Sequence, residues 1–218
     1  MYNTKMSIDA VQNHNLNDAR SSATRARLID STIDTLIELG FAKTTGVEVC
    51  RRSALTRGAL NHHFPDFADL LVETLQTLYA RLLVVKLDAE LGPLERVVLE
   101  SYERVSQPAF KAVIELWLAS RNDPEFGARL AKAIEQSSAL FSPTALLAGV
   151  SGLRINDELE ALYHTICEAL IGLGLGRAIS GGDGVDHEER VLSVLQSMAR
   201  DYDHACSQQR LRAETTIQ

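Results

Sequence analysis

Apolar residues recur along this chain at helical spacing, and almost nowhere do they alternate as in a strand. Ile29, Ile33, Leu36 and Ile37 fall at i, i+4, i+7 and i+8, on one face of a helix. Gly40 is placed to stop that helix, with Phe41 as the apolar contact that accompanies such a stop. Thr45 followed by Glu48 has the spacing of a capping box, so a short second helix starts there with Val49 and Cys50 inward. Ser53-Ala54-Leu55 interrupts the pattern, Thr56 can cap a third helix to about Phe64, and Pro65 closes it.

Two short helices joined by three or four residues must cross steeply, with Leu55 and Leu60 beneath them, which is a helix-turn-helix. A long apolar-periodic helix then runs from Asp66 to about Leu87. Further helices are expected near 94–106, 108–121, 124–141, 157–179 and 186–206, with Pro108, Pro124 and Pro143 at first turns or boundaries. The stretch 142–156 is mixed. Residues 1–23 are polar and unpatterned and read as a mobile arm. The chain is therefore predicted to be all-α, with about nine helices. The arm 1–23 precedes a three-helix head at 24–67, and a helical body occupies 68–218.

The segment Thr56-Arg57-Gly58-Ala59-Leu60-Asn61-His62-His63-Phe64 reads as a recognition helix. Its first turn offers N–H groups and the positive dipole end to phosphate. Arg57 can pair bidentately with guanine and Asn61 with adenine, and the two share an exposed face while Leu60 and Phe64 turn inward. Gly58 and Ala59 are small enough to let the backbone approach a groove.

Charge sharpens this picture. The net charge is −7, unfavourable for a nucleic-acid binder, but it is unevenly spread. Residues 1–63 hold eight Lys/Arg against six Asp/Glu; the remaining residues hold 14 against 23. A basic head on an acidic body can bind phosphate while the body disfavours random contacts. A scattered surface charge would give the same sums, so the count alone does not decide. No apolar run approaches the roughly 20 residues that span a bilayer, no secretory leader opens the chain, and three scattered cysteines form no disulfide or zinc framework. A cytoplasmic setting is expected.

From about Arg25 to Leu71 the chain resembles the DNA-binding head of the tetracycline-repressor-like (TetR) family. The resemblance rests on Leu39-Gly40-Phe41, then Thr44-Thr45, then Arg57-Gly58-Ala59-Leu60, then His62-His63-Phe64-Pro65, in order and spacing. In the body, Glu115-Leu116-Trp117 and Ser120-Arg121-Asn122-Asp123-Pro124-Glu125 look like a stretch found in many members. The resemblance implies a small-molecule inducer bound in the body and a homodimer through the last two helices. Three positions depart from the pattern: Ala54 where the interhelix turn usually has Gly, Asn61 where a Tyr commonly precedes the His pair, and Phe67 where a Lys usually opens the fourth helix.

The DNA-contact candidates are Thr45, Thr56, Arg57, Gly58, Ala59, Asn61, His62 and His63, with Arg20 and Arg25 as further candidates for the DNA backbone or the minor groove. Tyr102, Phe110, Trp117, Phe126 and Tyr163 are the ligand-pocket candidates, each equally suited to a core, and they favour an apolar or aromatic ligand. No metal or cofactor is expected. His62 and His63 are adjacent and diverge by about 100° on a helix, and His164 with Cys167 lacks further ligands at suitable spacing. Gly172-Leu173-Gly174-Leu175-Gly176 has no strand before it, so it is no dinucleotide loop; its small residues suit close helix approach, plausibly by the dimer partner. The leading expectation is a ligand-responsive, dimeric regulator, usually a repressor in this family, that reads a near-palindromic operator. A helical enzyme lacks a nucleophile with its base, and a protein-docking scaffold would lack the steep salt dependence of DNA binding.

Overall fold

A computed structural model of the chain describes residues 2–84, 91–138, 142–147, 155–181 and 184–216. Their regular structure is entirely helical, with no strand among them. The elements are α1 (Tyr2–Leu39), a 3-10 turn (Phe41–Lys43), α2 (Gly46–Ser53), α3 (Arg57–His63) and α4 (Phe67–Leu82). There follow α5 (Pro93–Ser106), α6 (Pro108–Ser120), α7 (Pro124–Ser138), α8 (Pro143–Leu146), α9 (Asp157–Ser180) and α10 (Glu188–Thr216). The nine expected helices are present, and α8 adds one turn inside the mixed stretch. Leu87, at the expected end of the fourth helix, lies outside the described residues.

Helix α1 starts far earlier than its apolar periodicity. Residues 2–39 hold no Gly or Pro, so nothing breaks the hydrogen-bond ladder before Gly40, and the backbone is helical where an unpatterned arm was expected. Gly40 ends it at φ 76°, ψ 173°, a region open essentially to glycine alone.

The chain divides into two compact units, Met1–Thr77 and Leu78–Gln218. The division falls inside α4, ten residues beyond the boundary expected from sequence. In the first unit α1 packs on α2 and α2 on α3. Leu28, Ile29, Ile33, Leu36, Val49, Leu60 and Phe64 form its core, joined by Leu70, Leu71 and Leu75 of α4. Ile37, Cys50 and Leu55 are only half-buried. Thr32 and Thr35 are instead fully buried, their hydroxyls donating to the carbonyls of Leu28 and Ser31 four residues back.

In the second unit α5 packs against α9 and α10, and α6 against α7 and α9. The N-terminus of α5 is held from a distant part of the chain, because the Asp203 carboxylate of α10 accepts from the N–H groups of Leu94 and Glu95 at 3.1 Å. Burial raises the pKa of that carboxyl while the two backbone N–H groups oppose the rise. Asn156 caps α9, accepting from Leu159 N–H at 2.8 Å.

The glycines of α9 act within the chain. A Cβ on Gly174 would lie 2.6 Å from the Phe110 ring and 3.0 Å from Val105, so glycine here lets α9 close on α5 and α6. A Cβ on Gly172 would meet nothing within 4 Å. The expected role as a contact for a dimer partner is thus replaced, at Gly174, by intrachain packing.

Candidate nucleic-acid interface and effector cavity

The helix-turn-helix is built from local signals. Thr45 caps α2, its hydroxyl accepting from Glu48 N–H at 3.3 Å, and Thr56 caps α3, accepting from Ala59 N–H at 3.1 Å. Only half of the expected capping box forms. The Glu48 carboxylate turns away from Thr45 to receive Arg51 at 2.6 Å and Arg52 at 2.9 Å, since two guanidiniums outcompete one backbone N–H. Arg51 first, then Arg52, holds the Glu48 carboxyl down to about 2.

Between the helices Ala54 sits at φ 51°, ψ 40°, left-handed geometry, and among the described residues it alone is a non-glycine with positive φ. The turn therefore keeps the shape that glycine would favour and carries the strain of a Cβ within it. Beneath it, Arg27 donates to the Ser53 carbonyl at 2.5 Å, tying α1 to the end of α2.

Thr45, Thr56, Arg57, Gly58, Asn61 and His62 are exposed, and Ala59 and His63 are half-buried. Leu60 and Phe64 face the core, 4% and 2% exposed. Seven of the eight candidates thus lie along Thr56–His63 and the eighth, Thr45, at the start of α2, with the expected inside–outside division of α3. Gly46, at the start of α2, sits close to Leu60 and Phe67: a Cβ there would be 3.2 Å from one and 3.9 Å from the other. Phe67 therefore packs on the head. The His62 and His63 rings meet edge to face at 5.2 Å. Burial, then His62, then Arg25 lowers the pKa of His63, so the free protein holds it neutral near pH 7.

Most basic side chains of the head are already engaged. Arg25 donates through Nε to Glu73 at 2.7 Å and through Nη1 to the His63 carbonyl at 3.0 Å, and it lies 4.3 Å from the Phe64 ring centroid. It thereby joins α1, the end of α3 and α4. Arg52 bridges Glu38 at 2.7 Å and Glu48. Among the described residues, Arg57 and Asn61 have no side-chain hydrogen bond or ion pair, and both point into solvent from α3.

The second unit holds a partly open cavity of about 600 Å³. Phe110, Trp117 and Tyr163 line it, as expected from their aromatic character. Tyr102 and Phe126 do not. Tyr102 uses its hydroxyl to accept from Arg177 at 3.1 Å, and Phe126 is core, 4% exposed. Trp117 Nε1 donates to the Tyr79 hydroxyl at 2.9 Å, linking α6 to α4; burial pushes the Tyr79 phenol up to about 12. His164 and Cys167 also line the space.

Sequence reasoning missed Arg104, which is 5% exposed and lines the same cavity. Burial lowers its pKa, and Glu100, 2.9 Å away, opposes the shift. The signal was present: Arg104 shares the apolar face of α5 with Leu94, Val97 and Val105. Among the described residues no helix is long and apolar enough to cross a membrane, and no cluster of three potential metal ligands occurs.

No family model matches the chain. The HTH-type transcriptional regulator BetI of Cronobacter sakazakii is 28% identical over 168 residues, covering 72% of this chain and 80% of the relative. CymR of Pseudomonas putida, another HTH-type transcriptional regulator, is 25% identical over 188 residues, covering 84% and 92%. Among solved structures, a transcriptional regulator from Rhodococcus sp. superposes with a TM-score of 0.62 at 19% identity, over 80% of this chain and 95% of the other. A regulator from Saccharomonospora viridis in complex with choline gives 0.57 at 16% identity, over 83% and 95%. A TetR-family member from Streptomyces coelicolor gives 0.55 at 19%, over 81% and 98%. The likeness to these solved structures shows a shared all-helical fold, and the two curated proteins to which the chain is similar are both HTH-type transcriptional regulators.

Proposed function

We propose that the protein is a ligand-responsive repressor that binds a near-palindromic operator as a homodimer and leaves it when a small molecule enters the cavity. The observation that carries this reading is the contrast within the head. Arg25, Arg27, Arg51 and Arg52 are all held by protein groups, whereas Arg57 and Asn61 stand exposed on α3 without a partner among the described residues. Side chains placed this way suit base edges in a major groove: Arg57 for guanine and Asn61 for adenine. Thr45, Thr56, His62 and His63 suit phosphates, and Gly58 and Ala59 permit close approach.

Dimerisation through α9 and α10 is supported by apolar side chains left exposed there. Leu175 and Ile179 follow i, i+4 on α9, as do Val194 and Met198 on α10, and Ile179 is 78% exposed. Covering such residues is what an interface core requires. Two heads one helical turn of DNA apart, about 34–36 Å, would read a two-fold-related site. Release by a small molecule is supported by the cavity of about 600 Å³ in the second unit, large enough for a drug-sized ligand.

The test is a gel-shift titration with an operator obtained by selecting bound genomic fragments. Arg57→Ala is expected to weaken binding by about 1–3 kcal/mol and to relax preference at one base pair. Unchanged affinity and preference would overturn the assignment of α3 to DNA.

A further inference from the structure

The cavity carries a chemical preference beyond its apolar walls. Apolar and aromatic side chains, Tyr79, Leu82, Val105, Phe110 and Trp117 among them, line the cavity, yet Arg104 reaches it while nine-tenths buried. Two of its nitrogens are occupied: Nη1 donates to the Ser101 hydroxyl at 3.1 Å and Nη2 to Glu100 at 2.9 Å. Its Nε is buried with no acceptor among the described residues. A buried donor without an acceptor is costly, and such a group in a cavity wall is satisfied when a ligand brings the missing oxygen.

Charge decides which oxygen. Arg104 and Glu100 neutralise each other within one ion pair, and Glu168 is a further carboxylate in the lining. A ligand carboxylate placed at Nε would face Glu100 at close range and add a buried charge with no new counter-charge. A quaternary ammonium carries no acceptor and leaves the Nε–H unsatisfied. A carboxylate would satisfy it only by giving up its hydration against the Glu100 and Glu168 carboxylates.

We propose that the cavity takes an uncharged, largely aromatic or apolar molecule bearing one strong acceptor, such as an ester, ketone or amide carbonyl, which receives the Arg104 Nε–H. This rests on the reading of the cavity as the effector site. A volume of about 600 Å³ accommodates two or three rings.

The test uses the full chain and four probes of one size in titration calorimetry: methyl biphenyl-4-carboxylate, biphenyl-4-carboxylate, biphenyl-4-yl-trimethylammonium and 4-isopropylbiphenyl. The ester is expected to bind at least tenfold more tightly than either ion. In Arg104→Lys, which keeps the positive charge beside Glu100 but lacks Nε, the ester is expected to weaken about fivefold, the worth of one hydrogen bond, while the hydrocarbon changes less than twofold. Equal or tighter binding of the carboxylate or the ammonium overturns the proposal and leaves the effector cavity standing. So does an equal loss for ester and hydrocarbon in the variant. Failure of all four to bind overturns both the effector cavity and the proposal. If Arg104→Lys does not fold, the ranking of the four probes on the unaltered chain decides alone.

Discussion

Arg25 of α1 and Glu73 of α4 form a two-point ion pair across the head, with Arg25 Nε 2.7 Å from Glu73 Oε1 and the guanidinium resting over Phe64. Hydrogen bonding to Glu73 is the main cause of the raised Arg25 pKa, with burial opposing it. The pair joins residues 48 apart in sequence and reaches the carbonyl of His63 at the end of α3.

Glu73→Ala removes this link while sparing every proposed DNA contact. Both side chains are partly exposed, Arg25 by 41%, so solvent screening keeps the loss to about 1 kcal/mol. The expected outcome is a modestly lowered midpoint in urea unfolding with an unchanged slope. No change in the midpoint would show that the pair contributes nothing to stability.

Ala54→Gly relieves left-handed strain in the turn between α2 and α3. The cost of alanine there is about 1–2 kcal/mol, offset in part by the greater freedom of glycine in the unfolded chain. A net gain of about 0.5–1 kcal/mol is expected. Thermal unfolding checks it, and a fall in Tm would mean that Ala54 is not strained.

Gly58→Ala separates folding from binding. A Cβ at position 58 meets only the Thr56 hydroxyl, at 3.7 Å, so the head accepts it and α3 gains about 0.5–1 kcal/mol in helix propensity. If α3 lies close against DNA, the added methyl weakens operator affinity while Tm holds or rises. Full retention of affinity would place DNA away from this turn.

His63 distinguishes a phosphate contact from simple packing. Its pKa is lowered in the free protein, so it starts neutral near pH 7. A phosphate beside it favours the imidazolium and raises the pKa in the complex. Linkage then strengthens binding as pH falls through the bound-state pKa, with the full gain reached below the free-state pKa. Operator affinity should therefore climb below pH 7, and His63→Gln should flatten that climb. An unaltered pH profile in the variant would assign His63 to packing alone.

Much of the head was legible because its signals are local. Thr45, Thr56, Pro65 and Gly40 each act on a backbone within a few residues, and a short helix between two caps has little choice of which face it buries. The buried threonines of α1 were not legible, because Thr32 and Thr35 count as polar until their hydroxyls are seen returning to the helix's own carbonyls. The partners of Arg25 were not legible for a related reason. An arginine before a recognition helix suits phosphate equally well, and only Glu73 and Phe64 show where its charge goes.

The order of residues alone determined the all-helical class, the capped pair α2 and α3 and the outward set around Arg57 and Asn61. Each depends on the 3.6-residue period or on interactions spanning four residues or fewer. Tertiary structure alone decided that Asp203 caps α5 across more than a hundred residues and that Gly174 admits the Phe110 ring. It also decided that Phe110, Trp117 and Tyr163, but not Tyr102 or Phe126, surround a cavity with Arg104 in its wall. Those relations join faces of separate helices, whose mutual rotation and approach are set by the packing of the whole unit.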